Sequence, residues 1–463
     1  MKWLIYVFFS STFPDCLKHA IIIAIFKFGN PSDYMNYRPV SLLHFLSQVF
    51  EKCMYTRINH FVVSNSILNS SQFGFLKGYS TSDAILNLTE FIYNSLDSGE
   101  IAINIFIDFK KAFDTLNHEI LFQKLHKYGI RGSSLDLIRD YFSRRTQCVR
   151  VGSICSSISD IKLGVPQGSV LGPLFFLLYI NDISNISNSI FTTLFADDTT
   201  ISFKFQSALD IENSVNFNLL LLHRWTVCNR LTVNITKTFF NIITNRRLPC
   251  GFFPLNLHLN GHYISYKSKE KFLGLIFDDQ LKFKPHISEV ERKISKSIGI
   301  LYRLRSSVPN ETLRLLYFAF IYPYLTYCNI IWAGTFPCHL ENLSILQKKA
   351  VRIINNAPFL AHTNDLFLNS HLLKLKDIHK LSVCIYMFKQ ANLTQFHRDH
   401  NYSTRNSHLL LPTYRRLSLT QHSITYTGPS IWNSLPSEIK SLSTVDSFKS
   451  MLKKYFISFY GVT

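Results

Sequence analysis

The sequence predicts an α+β fold built on an antiparallel sheet, and three observations predict it. Ile101, Ile103, Ile105 and Ile107 recur at period two, while Ala102, Asn104, Phe106 and Asp108 point the other way. Further along, Ser189-Ile-Phe-Thr-Thr-Leu-Phe195-Ala196-Asp197-Asp198-Thr-Thr-Ile-Ser-Phe-Lys-Phe205 sets an acidic pair between two apolar, β-branched limbs, the pattern of a hairpin. From residue 286 the spacing turns helical, with Ile287, Val290, Ile294 and Ile298 on one face and Lys and Arg around them.

The elements follow in order. The run 21–26 reads as a buried strand closed by Lys27 and Gly29-Asn30-Pro31. The strand 101–107 delivers Asp108 at its end, where a carboxylate is costly unless something pairs with it. Residues 164–173 form a glycine-rich loop entering an apolar helix, with Pro173 near the helix start. In the hairpin's second limb Ile201, Phe203 and Phe205 alternate with polar residues, which predicts a half-buried strand. Asn229-Arg230 reads as a turn and 231–233 as a short strand leading to Lys237. Asp108 and Asp197 are far apart in sequence, so a sheet must pair their strands to unite them.

Three carboxylates brought together in this way suit hard divalent cations, which prefer oxygen ligands and retain waters and substrate phosphates. Two such ions activate an attacking hydroxyl and stabilise a leaving oxygen. The constellation therefore points to nucleotidyl transfer. Turn acids alone also occur as solvated Asx turns, so the trio carries the reading and no single acid does.

Composition is consistent with this chemistry. The 463 residues are enough for two or three domains, and 49 Lys+Arg against 30 Asp+Glu give a formal charge of +19, which attracts polyanions. Forty phenylalanines must mostly be core, with some available to stack on bases. The nine cysteines show no zinc spacing; Cys148 and Cys155 are too far apart for a knuckle and have no histidine nearby in sequence. They read as reduced thiols of an intracellular protein, in which the Asn87-Leu-Thr89 triplet has no glycosylation meaning. The apolar start Met1-Lys-Trp-Leu-Ile-Tyr-Val-Phe-Phe lacks a convincing cleavage site and is not read as a signal peptide. No segment offers the ~20 apolar residues of a membrane span.

Motifs in a fixed order make the chain recognisable. Asn36-Tyr-Arg38-Pro39-Val-Ser-Leu-Leu and Gln72-Phe-Gly-Phe-Leu76-Lys77-Gly78-Tyr79-Ser80-Thr81 come first. Ile107-Asp108-Phe-Lys-Lys-Ala-Phe113-Asp114-Thr-Leu-Asn-His118, then Gly164-Val-Pro-Gln167-Gly168-Ser169-Val-Leu-Gly-Pro173, then Phe195 to Asp198 follow. Asn229-Arg-Leu-Thr-Val-Asn234-Ile-Thr-Lys237-Thr238 and Phe272-Leu-Gly274 with Asp278 complete the central set, and Gln347-Lys-Lys-Ala-Val-Arg352 and Trp432-Asn433-Ser-Leu-Pro436 lie downstream. In this order they resemble the two fingers motifs, motifs A to E and the downstream region of reverse transcriptases of non-LTR (LINE-type) retrotransposons, nearest to the jockey and CR1-like kinds. The resemblance runs over nearly the whole chain.

The resemblance implies a right-hand polymerase: fingers over 1–100, an α+β palm over 101–285, a helical thumb over 286–360 and a mixed helical, basic C-terminal region over 361–463. It implies that Asp108 and Asp197 are the main metal ligands, with Asp198 in support, for two Mg²⁺ ions or Mn²⁺ in their place. Phe113 would lie beneath the incoming sugar and exclude a 2′-hydroxyl. Gln167 and Gly168 would contact the nascent pair and nucleotide, Arg38 and Lys77 the triphosphate or template backbone, and Lys237 would protonate the pyrophosphate. Asp114 and His118 are read as making capping or turn hydrogen bonds. The partners implied are an RNA template, a DNA primer and dNTPs, with no membrane and no defined protein partner, in an element ribonucleoprotein of the nucleus or cytoplasm.

Two departures stand out. Leu76 and Tyr79 replace arginines usual in the second fingers motif, and Met1 falls just upstream of the fingers, so the family's N-terminal endonuclease is expected to be missing. No ribonuclease H-type acidic cluster is evident downstream. The alternatives to a polymerase are a catalytically silent nucleic-acid-binding remnant of a truncated element and a relic without a stable fold.

Overall fold

The computed structural model describes residues 7, 9–246, 255–390 and 409–461. The N-terminal apolar run therefore lies largely outside the described residues, as does Cys250. No helix among the described residues is long and apolar enough to cross a membrane.

Two sheets organise the N-terminal half. In the first, β1 (His19–Phe26) pairs antiparallel with β2 (Tyr37–Leu42) and parallel with β4 (Thr146–Val151), whose other edge carries the short β5 (Ile154–Cys155) and β6 (Ser159–Asp160). β1 is buried only in its first half; Ala24, Ile25 and Phe26 are exposed, so the expectation of a buried strand over 21–26 holds for half of it. Helix α1 (Phe45–Ser64) follows β2.

The second sheet has β3 (Ile101–Ile107) at its centre, flanked by β8 (Asp198–Phe205) and β9 (Phe239–Ile243), with β7 (Phe191–Phe195) beyond β8 and the short strand Ser265–Tyr266 beyond β9. The period-two pattern sorts β3 onto two faces as predicted, and both faces are buried. Ile101, Ile103, Ile105 and Ile107 enter a core with α3 (His118–Lys127), α4 (Ser133–Phe142), α5 (Gly172–Ile180) and α6 (Ile211–Cys228). Ala102 and Phe106 enter a second core that continues through the helices beyond residue 284 to Tyr460.

β8 corrects the expected half-buried strand: residues 199–203 are buried on both faces. Its polar face is covered by α2 (Thr81–Asp97), which runs between the sheet and the C-terminal helices and begins with a Ser80–Asp83 capping box. Ser202 Oγ there donates to Asn104 Oδ1 at 2.7 Å, and Asn104 Nδ2 donates to Asn241 Oδ1 at 2.9 Å, while the buried Thr200 Oγ1 has no hydrogen-bond partner among the described residues. Residues 231–233 are not a ladder strand; Val233 makes only an isolated bridge to Phe109.

The helix Lys284–Leu304 buries Ile287, Val290 and Ile294, with Ile298 packed at the margin, as the spacing predicts. It packs on Pro337–Ile354. The helices Leu375–Lys389, Ile424–Asn433 and Val445–Ser458 extend the same core.

The segment 415–425 latches this C-terminal region to α2. Arg415 Nη2 donates to Glu90 Oε2 at 3.1 Å, Ile424 N to Glu90 Oε1 at 2.8 Å, and Thr425 Oγ1 to Glu90 Oε2 at 2.9 Å. Farther along α2, Asp97 Oδ1 accepts from Arg416 N, Leu417 N and Thr420 Oγ1. The Arg415 side chain is 3% exposed and Glu90 16%, so removing one charge strands the other in a dry place. Glu90→Gln is expected to lower stability by about 3 kcal/mol, read by urea denaturation; a variant as stable as the parent would show that the latch contributes nothing.

Candidate active site

The sheet register brings the three acids to one end. Ile107 pairs with Thr199, so Asp108 leaves β3 beside Asp198 at the start of β8. Phe195 pairs with Asp198, which makes Ala196-Asp197 a two-residue hairpin turn. Ala196 has φ 58°, the left-handed conformation that such turns need and non-glycine residues resist.

Residues 71–74 clamp that turn. Leu194 N donates to Ser71 O, Phe73 N donates to Leu194 O at 2.8 Å, and Ala196 N donates to Gln72 Oε1 at 3.1 Å. A Cβ on Gly74 would lie 2.2 Å from Ala196 N, so only glycine permits this approach. A second loop holds Asp108: Asn234 N donates to its carbonyl at 2.7 Å and Asn234 Nδ2 to its Oδ2 at 2.8 Å. Lys237 Nζ lies 3.9 Å from the same Oδ2.

The acids repel one another. Burial, then Asp197 and Asp108, push Asp198 up to about 6. Burial raises Asp197 as well, with Asp108 adding to the shift and Arg38 and Lys27 opposing it. Lys27 is a site residue that the motifs do not single out. It follows β1, opposite Arg38's strand, and its pKa is lowered by partial burial, Arg38 and Lys237, against Asp114 and Asp108. A lysine ending an apolar strand shortly before a motif arginine is the available signal. Beside Asp108 and Asp198 a cleft of ≈ 250 Å³ is lined by Lys237, Lys267, Glu270 and Lys271.

Among the described residues no three His, Cys, Asp or Glu side chains close around a point as a ready-made metal cage. An all-oxygen donor set that is short of positive charge nevertheless fits Mg²⁺, which takes one or two carboxylates and completes its shell with water and phosphate.

The other candidates occupy the loops of motifs A and B and their neighbours. Phe113 stacks on Phe176 of α5 with centroids 4.4 Å apart, and Phe75 meets its edge at 6.2 Å. Gln167 Nε2 donates to Asp114 Oδ1 at 2.7 Å, and His118 Nε2 pairs with Gly164 O at 2.8 Å. Asp114 and His118 thus tie motif A to the remote glycine loop, where the sequence suggests local capping or turn bonds. Gly168 has φ 120°, and a Cβ there would meet Ser41 O at 2.9 Å. Arg38 is exposed on β2, and Lys77 sits in an exposed turn after the 71–74 clamp. Away from this site, parallel pairing of β1 and β4 sets His19 Nε2 3.7 Å from Cys148 Sγ, so Cys148 does have a histidine neighbour.

A family model described as reverse transcriptase (RNA-dependent DNA polymerase) matches residues 28–277, more than half of the chain. The chain belongs to the reverse transcriptase family. The described residues form a mixed α/β architecture. Among curated relatives, the probable RNA-directed DNA polymerase from transposon BS of Drosophila melanogaster is 29% identical over 75% of this chain and 39% of its own length. The RNA-directed DNA polymerase from mobile element jockey of the same organism is 28% identical over 79% of this chain and 40% of its own. This reverse transcriptase chain therefore spans about two fifths of the length of the curated relatives it matches. Among solved structures, apo telomerase from Candida tropicalis aligns with TM-score 0.44 and 11% identity over 76% of this chain and 61% of that one.

The charge crowding predicts a pH-dependent stability. Asp198 titrates near 6 in the folded protein against an ordinary 3.8, so its charged form disfavours the fold. Without divalent metal, Asp198→Asn should raise the melting temperature at pH 7.5 and lose that advantage as pH falls below about 4, where both side chains are neutral. Scanning fluorimetry in chelator checks it; a melting temperature lowered at pH 7.5 would contradict it.

Proposed function

We propose that this chain is an RNA-directed DNA polymerase of a non-LTR retrotransposon, transferring dNTPs to a primer 3′-hydroxyl on an RNA template. The observation that carries the proposal is the convergence of Asp108 with Asp197 and Asp198 at one end of the sheet, faced by Lys27, Arg38 and Lys237. Asp108 and Asp197, with Asp198 in support, would hold two Mg²⁺ ions or Mn²⁺, which supply Lewis-acid activation of the hydroxyl and neutralise the triphosphate.

The chain's own groups do the rest. Arg38, Lys77 and Lys27 bind the triphosphate or template backbone, Arg38 as a planar fork and the lysines as point charges. Lys237 gives its proton to the leaving pyrophosphate, a contribution of typically ~10²–10⁴-fold for positioned acid catalysis. Gln167 and Gly168 contact the nascent pair and the nucleotide. Phe113, braced by Phe176, lies under the sugar and leaves no room for a 2′-hydroxyl. Residues 1–100 serve as fingers, 101–285 as palm, 286–360 as thumb and 361–463 as a basic C-terminal region. The partners are an RNA template, a DNA primer and dNTPs in an intracellular ribonucleoprotein.

Primer extension on a primed RNA template with Mg²⁺ tests the proposal. The parent should extend and an Asp197→Asn, Asp198→Asn double variant should not; a cooperatively folded parent that never extends would reduce the chain to a nucleic-acid-binding remnant. The same assay tests selectivity. Phe113→Val should raise the relative kcat/KM for ribonucleotides by about tenfold to a hundredfold, as removal of a steric exclusion does; unchanged selectivity would make Phe113 a core residue only.

A further inference from the structure

We infer that Asp114 is a positioning residue that sets which end of the Gln167 amide faces the nucleotide, an assignment that rests on the polymerase reading above. Gln167 Nε2 donates to Asp114 Oδ1 at 2.7 Å. An ionised carboxylate only accepts hydrogen bonds, whereas a glutamine amide carries donors on one end and an acceptor on the other. Asp114 therefore admits only the Nε2 end, and Oε1 is turned outward as an acceptor.

The surroundings hold both partners in place. Asp114 N donates to Lys111 O at 2.9 Å, and a Cβ on Gly164 would lie 2.5 Å from Asp114 O, so the glycine loop and motif A are in direct backbone contact. Val165 N donates to Phe113 O, and Ser41 N on β2 donates to Gln167 O at 2.7 Å. With the backbone on either side of Gln167 tied down, its side-chain torsions remain free, and the bond to Asp114 restricts them and the facing of the amide. Burial raises the Asp114 pKa, and Gln167 is the main opposing influence, ahead of Lys111 and Lys27.

This arrangement has a consequence for specificity. A side chain that presented Nε2 outward would offer donors where Oε1 now offers an acceptor, and a nucleotide matched to one would be mismatched to the other. The carboxylate thus acts on substrate binding through Gln167, without touching substrate.

The test is a double-mutant cycle. In Asp114→Asn the new amide at position 114 can donate or accept, so Gln167 is no longer held one way. Losing both the fixed orientation and the charge-assisted bond should raise KM for dNTPs by about threefold to tenfold, with kcat changed by less than about twofold. Against a Gln167→Ala background, in which the amide is absent, Asp114 has nothing left to orient. There Asp114→Asn should change KM by less than about twofold. Melting temperatures measured alongside separate positioning from folding, because a residue that served only the fold would raise KM in both backgrounds. A normal KM in Asp114→Asn, or a full effect of Asp114→Asn on KM in the Gln167→Ala background, overturns the assignment. A parent that extends no primer overturns the polymerase reading and this assignment with it.

Discussion

Strand β3 belongs to two hydrophobic cores at once, and the candidate site depends on that. Its isoleucines face the helices between residues 118 and 228, and Ala102 and Phe106 face the core that reaches Tyr460. A one-residue slip of such a strand would exchange the two faces, placing isoleucines against the phenylalanine cluster of Phe239, Phe272 and Phe277 and breaking the Asn104 bonds to Asn241 and Ser202. Register is therefore strongly specified, and register decides that Asp108 leaves the strand beside Asp198.

That rigidity is what allows charge to accumulate. Asp108, Asp197 and Asp198 meet in a setting that already pushes Asp198 to about 6, a cost that the fold must cover elsewhere. The cover comes from backbone. Residues 71–74 hold the Ala196-Asp197 turn from one side, with Gly74 against Ala196 N, and Asn234 holds Asp108 from the other. The cations Lys27, Arg38 and Lys237 arrive from three separate segments, so the field over the acids is set by the tertiary arrangement of β1, β2 and the loop before β9.

Much of this was legible in the residues. The alternation of 101–107, the acidic hairpin, the loop running into an apolar helix and the face of Ile287, Val290 and Ile294 are local patterns, and local patterns survive in sequence. What was not legible needed a distant neighbour. β8 looks half-polar, yet α2 and the C-terminal helices cover its polar face, and the serine and asparagines there satisfy one another. The run 231–233 has strand composition but gains one bridge partner only. Asp114 and His118 were legible as hydrogen-bonding residues, while their partners, Gln167 and Gly164, are brought to them by the fold. His19 reaches Cys148 only through parallel pairing, which no local pattern announces.

The same logic explains why the C-terminal region matters to a site it does not touch. α2 is buried on nearly every side, between β3 and β7 on one face and the helices after residue 320 on the other. Its Ser80–Asp83 cap follows directly on the loop whose Gln72 and Gly74 grip the acidic turn. Its second half carries Glu90 and Asp97, which hold the 415–425 latch. A helix anchored at both ends transmits position along its axis, because packed interiors deform little. The clamp on Ala196 is thus referenced through α2 to the C-terminal core, and the placement of Asp197 is a property of the whole chain more than of the hairpin that bears it.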